Sequence, residues 1–314
     1  MTAPRRPAKR YRSARMAIDP DNLSADAGRR ARWVVTRYER LLPLTARSRA
    51  VGRAYATLVA AMELRLDPLR RATAERRIAR WLGVPEAHAH RIHRDSLRSE
   101  AREEADTAFF IAHPDALETA VRARRDEPRD EAPTIYAILH FGSPILAYLH
   151  LCSTRGRAIH AIARELDTTN PMSEAKRQFG VRKVAWVHER SGRPFIGVDG
   201  AAIVHARERL LAGDSLYAAL DVPGNVSQRA TEVTVCGERL RVAAGMTTLA
   251  SLTRTPLQPV LALCRGSDIE MLYGPRIPPT SPADTLAAVT AALFAFVTVH
   301  PGEWWLWPYV TPAA

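Results

Sequence analysis

The chain has 314 residues, 46% of them hydrophobic and 25% charged. That balance excludes a disordered, fibrous or collagen-like chain and suits one or two globular domains. The net charge is +12, from 45 Lys and Arg against 33 Asp and Glu.

The positive excess is concentrated in the first 133 residues. It begins with an acid-free run of Arg5, Arg6, Lys9, Arg10, Arg12 and Arg15. Such a run fits an anionic membrane surface or nucleic acid, or equally a solvated tail in an arginine-biased chain. No known nucleic-acid-binding motif is present, so nucleic acid is not expected as a partner. Cys152, Cys236 and Cys264 are isolated and form no metal-binding or disulfide pattern. A reducing compartment is expected, with no metal and no cofactor. The basic start leads into Asp19–Pro20–Asp21–Asn22 rather than an apolar core, so no secretion signal is expected. The sequon Asn225–Val226–Ser227 then lacks a secretory context. The uncharged stretch Thr285–Val299 reads as too short to cross a bilayer.

Residues 1–23 read as a basic flexible tail and residues 24–133 as a helical N-terminal region. Ser24 is placed to cap a first helix carrying Trp33, Tyr38 and Leu41. A second helix carries Val51, Tyr55, Leu58, Met62 and Leu66. A third runs from about Thr73 to Gly83, and Pro85 opens a long fourth helix. The charged, proline-bounded residues 124–133 read as a linker.

Residues 134–314 read as an α/β core continuous with those helices. Strand-like runs are Ile135–Leu139, Ala158–Ala163, Lys183–Val187, Leu216–Leu220 and Val260–Leu263. Helical patterns separate them at Pro144–Leu151, Pro171–Phe179, Ala201–Leu211 and Gly245–Arg254. A hairpin is expected from Thr231–Val235 and Leu240–Val242. The alternation predicts a mixed, largely parallel sheet flanked by helices.

In such a sheet, ligands bind beyond the carboxyl ends of the strands. His140 ends an apolar run and precedes Phe141–Gly142–Ser143–Pro144, so it is predicted in a strand-to-helix turn. There it is either a general base or a hydrogen-bonded turn residue. The helix start at Gly142 and Ser143 would offer backbone N–H groups to an anion or developing oxyanion. Asp221, at a predicted strand end, is the best polar support for His140. Glu165 and Asp167 are further possible carboxylates. No dinucleotide, Walker, zincin or nucleophile-elbow motif is present.

Residues 134–146, TIYAILHFGSPIL, resemble the catalytic block of the bacterial late (lauroyl/myristoyl) lipid A biosynthesis acyltransferases. Four further blocks follow in that family's order. They are Thr169–Asn170–Pro171 with Lys176–Gly180, Leu216–Asp221 with Pro223–Gly224, Gly245–Thr247 leading to Gln258–Val260, and His300–Trp307. The resemblance spans about residues 75–308. It implies a glycerolipid-acyltransferase-like α/β fold and transfer of an acyl chain from acyl carrier protein or coenzyme A to a hydroxyl or amine. His140 would be the base, in a pocket with an apolar arm for the chain, and Arg177 would contact an anionic group. Location would be cytoplasmic, at the periphery of the inner membrane.

One position departs from the family. Ile145 stands five residues after His140, where the family carries the acid that orients the histidine. The same spacing recurs at His90–Asp95, His113–Glu118 and His160–Glu165, and all three read as chance matches. The departure keeps a second reading open, a non-catalytic acyltransferase-like partner or scaffold. Trp304, Trp305 and Trp307 would close the core or sit at a membrane interface, core closure being favoured.

Overall fold

The computed structural model describes residues 25–120, 132–163, 166, 172–198, 201–221, 230–235, 238–265 and 268–309. The basic run, Ser24, most of the 124–133 linker, Glu165, Asp167, Asn170–Pro171, Pro223–Gly224, the 225–227 sequon and Cys236 lie outside the described residues.

Five helices precede the sheet: α1 (Ala25–Val35), α2 (Arg49–Leu66), α3 (Pro68–Leu82), α4 (Glu86–Ala112) and α5 (Pro114–Ala120). The expected first helix does not run through Leu41. It opens into a π turn at Thr36–Leu41 and then tightens into a 3-10 turn at Leu42–Arg47. Helix α3 starts earlier than Thr73, because Asp67 Oδ1 accepts the Arg70 N–H at 2.9 Å and Pro68 suits the first helical position. Gly83 ends it at φ +62°, the left-handed cap that its place in the sequence predicts.

These helices are tied together by a buried polar cluster. Glu104 of α4 accepts from Arg37 at 2.7 Å, Tyr38 at 2.6 Å and Tyr55 at 3.1 Å. At Gly52 a Cβ would stand 3.3 Å from Ala105 Cβ, so α2 and α4 pack closely. The paired α2 and α4 form one wall beside the sheet.

The sheet has order β3-β2-β4-β1-β7-β8. Its strands are β1 (Ile135–Ile138), β2 (Ile159–Ala163), β3 (Ile196–Gly197), β4 (Ser215–Ala219), β7 (Leu257–Arg265) and β8 (Asp268–Tyr273). All neighbours are parallel except β8, which returns antiparallel on β7. Helices α6 (Pro144–Thr154), α7 (Glu174–Ser191), α8 (Ala202–Leu211), α9 (Gly245–Thr253) and α10 (Pro282–Val299) flank it. Strands β5 (Ala230–Val235) and β6 (Glu238–Ala243) form a separate antiparallel hairpin, as the sequence predicts. The molecule is thus α/β, with a largely parallel mixed sheet flanked by helices.

One predicted strand is wrong. Lys183–Val187 belongs to α7, not to a strand. The run is apolar and β-branched, but the caps decide. Ser173 Oγ accepts the Lys176 N–H at 3.3 Å, and Gly192 closes the helix at φ +64°. Strands β3 and β8 have no counterpart in the sequence reading.

A single apolar cluster joins both regions. It includes Ile78 of α3, Ile92 and Phe110 of α4, strands β1 and β7, and Leu286, Val289 and Leu293 of α10. Helix α10 is long and apolar enough to cross a membrane by length and composition, contrary to the length expected. Its Leu286, Val289, Leu293, Phe294 and Val297 are buried against the rest of the protein. Trp304 and Trp307 are fully buried beside it, packed edge to face on Trp81. This is the expected core closure.

Candidate active site

Strand β1 is buried along its whole length between β4 and β7. Its chain leaves the sheet at Leu139 and turns sharply. Gly142 adopts φ +56°, and a Cβ there would lie 1.9 Å from the Ala262 carbonyl oxygen of β7. Only glycine fits so close a crossing. Pro144 then opens α6, with Ser143 at the cap position.

The turn places His140 against Asp221. The His140 Nδ1–H donates to Asp221 Oδ1 at 2.8 Å, since a carboxylate can only accept. The His140 backbone N–H donates to Asp221 Oδ2 at 2.7 Å. The Trp304 indole N–H donates to the same Oδ2 at 2.9 Å. Asp221 is thereby fixed from three directions and its side chain is only 3% exposed, whereas that of His140 is 39% exposed. The neutral imidazole keeps its proton on Nδ1 and leaves the Nε2 lone pair free to take one.

Burial alone would lower the His140 pKa. The Asp221 charge and hydrogen bond outweigh it, and the pKa is raised above its ordinary value. Two further charges act on the ring, Lys183 opposing the proton and Glu100 favouring it. Lys183 is held by both oxygens of buried Glu103, at 3.0 Å each.

The other predicted site residues fare differently. The Gly142 N–H is taken by the Glu303 carbonyl at 2.9 Å and the Ser143 N–H by the Ala262 carbonyl at 3.1 Å. Those two donors are consumed in building the turn and are not free for an anion, which corrects the expectation. Arg177 lies in the first turns of α7, its guanidinium held by Glu174 one turn earlier. Ile145 is half-buried and packs against the main core.

Two of the three chance histidine pairs find other partners, and Glu165 of the third lies outside the described residues. His90 Nδ1 meets Glu75 at 2.6 Å, and His113 Nε2 meets the Ala46 carbonyl at 2.8 Å. His160 does find a carboxylate, Asp214 at 3.1 Å, but this pair is at the amino end of the sheet and the histidine is buried.

Three residues of the site escaped the sequence reading. Lys183 was hidden by its strand-like surroundings. Trp304 and Trp305 read as core or membrane-interface residues, yet Trp304 holds Asp221 and the Trp305 backbone N–H holds the His140 carbonyl at 3.0 Å. Among the described residues no three His, Cys, Asp or Glu side chains converge as metal ligands. A cavity of about 410 Å³ shares Glu303 with this turn. Arginines dominate its lining, so it is not the apolar arm expected for an acyl chain.

No protein-family model matches the chain, and no curated protein matches it.

Proposed function

We propose that the chain is an acyltransferase of the kind its sequence blocks resemble, with a glycerolipid-acyltransferase-like fold and Asp221 in place of the motif acid. The observation that carries the reading is the His140–Asp221 pair at the carboxyl end of a parallel sheet, on a His-Phe-Gly turn. His140 Nε2 takes the proton from an acceptor hydroxyl or amine. The acceptor atom attacks the thioester carbonyl carbon of acyl carrier protein or coenzyme A. The tetrahedral intermediate collapses and breaks the C–S bond. The leaving thiolate takes the proton back from the imidazolium, giving an ester or amide and a free thiol. Asp221 keeps the ring in the right tautomer and stabilises its charged form. Lys183, whose charge acts on the His140 ring, is the cation this reading assigns to the developing oxyanion. In this reading the protein is cytoplasmic and attaches peripherally to an anionic inner-membrane surface through its basic run.

Intact mass spectrometry tests it. Candidate acceptors are incubated with acyl carrier protein and coenzyme A thioesters, with His140→Ala alongside. Product from the native chain and none from His140→Ala is expected. Absence of product with every donor, alongside retained donor binding, replaces this reading with the second one. That second reading, a non-catalytic partner, is favoured by Ile145 and by the consumed Gly142 and Ser143 donors.

A further inference from the structure

The cavity beside the turn lies between α2, α4, the end of β7 and residues 300–303. Its about 410 Å³ is enough for a small organic ligand. Four guanidinium groups line it: Arg49 and Arg53 from α2, Arg98 and Arg102 from α4. Two of them stand one turn apart on each helix, and the tight α2–α4 packing sets their spacing.

The acids in the same wall are already engaged. Arg102 meets Glu303 at 2.6 Å, Arg98 meets Asp95 at 3.4 Å, and Arg49 meets Asp106 at 3.5 Å. Each contact uses one edge of a planar group that carries five donors. Arg53 has no carboxylate partner among the described residues. The cavity therefore retains an excess of donors in the fork geometry that matches phosphate oxygens.

A second observation points the same way. Asp106 is 6% exposed, lines the cavity, and its Oδ2 has no hydrogen-bond partner among the described residues. A buried carboxylate oxygen left unmet costs stability unless a ligand donor reaches it. Helix α4 also supplies Ser99, whose Oγ donates to Glu303 at 2.5 Å and accepts the Trp305 indole N–H at 3.2 Å. The Trp305 ring in turn lies 6.2 Å from the His140 ring, so the cavity wall is one indole away from the base.

We infer that this cavity binds the phosphate group of a ligand that also carries a hydroxyl, amine or amide donor. The guanidinium groups take the phosphate and Asp106 Oδ2 accepts from the donor. The inference goes beyond acyl transfer and does not require it. Where the chain also transfers acyl groups, the phosphate belongs either to the acyl donor or to the acceptor.

Isothermal titration of the full chain at low salt provides the test, with inorganic phosphate and glycerol 3-phosphate as probes. Both should bind, glycerol 3-phosphate more tightly. R53Q/R98Q removes two exposed side chains and should weaken both by at least about tenfold, the scale of losing charge-assisted bonds. D106N should weaken glycerol 3-phosphate and leave inorganic phosphate as tight or tighter. Circular dichroism confirms that each variant is folded. Displacement of glycerol 3-phosphate by coenzyme A assigns the phosphate to the donor, and its absence assigns it to the acceptor. No binding at low salt, or binding unchanged in R53Q/R98Q, overturns the inference. Because binding is read without turnover, a chain that binds phosphate and transfers no acyl group retires only the enzymatic reading.

Discussion

His140 and Asp221 are 81 residues apart, the same offset that pairs Ile135 with Leu216 along the β1–β4 ladder. The acid and the base therefore stand in the same register, two residues beyond the last rung of the parallel ladder, Ile138 and Ala219. Parallel register fixes which residue of β4 faces which residue of β1. A carboxylate at position 221 meets a histidine at position 140 without any help from the 140–145 turn. That is how the site accommodates Ile145.

The first prediction follows from that geometry. Asp221→Asn should lower kcat/KM by about 10³- to 10⁴-fold, the scale of losing an orienting acid. The His140→Ala, Asp221→Asn double variant should be no slower than His140→Ala, because the two act as a unit. Single-turnover acyl transfer measures both. Ile145→Glu should give no gain in rate, since Asp221 already holds Nδ1.

The pH–rate profile should reflect the raised His140 pKa. The base must be neutral, so kcat/KM should rise with pH along a limb centred above the ordinary histidine value of about 6.5. In Asp221→Asn the anion that favours the proton is gone, and the limb should move to lower pH. A limb that stays in place in that variant assigns the titration to another group.

His93 of α4 makes a separate prediction about stability. It is 2% exposed, neither ring nitrogen has a hydrogen-bond partner among the described residues, and burial pushes its pKa down to about 4. Unfolding frees it to protonate near pH 6.5, so the unfolded chain binds the extra proton between those values. Stability should fall as pH drops from about 6.5 to 4, by up to about 3 kcal/mol from this residue. His140 acts in the opposite direction: its raised pKa adds stability below about pH 6.5, lost as pH climbs through the folded value. Urea midpoints across pH for the native chain and His93→Leu should separate the two, the variant losing the acid-side decline.

Gly142 and Gly83 provide a paired test of the turn. Their φ values are +56° and +62°, but an added Cβ meets the Ala262 carbonyl at 1.9 Å in the first case and nothing within 4 Å in the second. Gly83→Ala should cost about 1 kcal/mol, the left-handed strain alone. Gly142→Ala should cost well over that, about 3 kcal/mol or more, because strand β7 or the turn must shift. Chemical denaturation of both variants measures the difference.

Much of this was readable from the residues. Strands β1, β2, β4 and β7 show as short apolar runs, and Pro144 and Gly83 mark helix ends by their own geometry. Asp221 was visible as a strand end. What could not be read was register, because no local signal states which strand lies beside β1. Strand β8 escaped because Asp268 and Glu270 break its apolar run. Lys183 escaped because Val184, Trp186 and Val187 resemble a strand while the caps that make them helical lie about ten residues upstream and five downstream. The arginine cavity is a product of helix packing: Arg49 and Arg102 come together only because Gly52 lets α2 rest on α4.

The residues just after α10 reach back to the first turn of the sheet. Glu303 accepts from Gly142, Trp304 donates to Asp221, and Trp305 donates to His140. On a ribosome these residues appear more than 160 residues after β1. A nascent chain can pair β1 with β4 and still lack the clasp that holds Asp221 in place. Assembly of the dyad thus waits on synthesis of residues 303–305, and a chain cut before them should fold into a sheet whose catalytic pair stays loose.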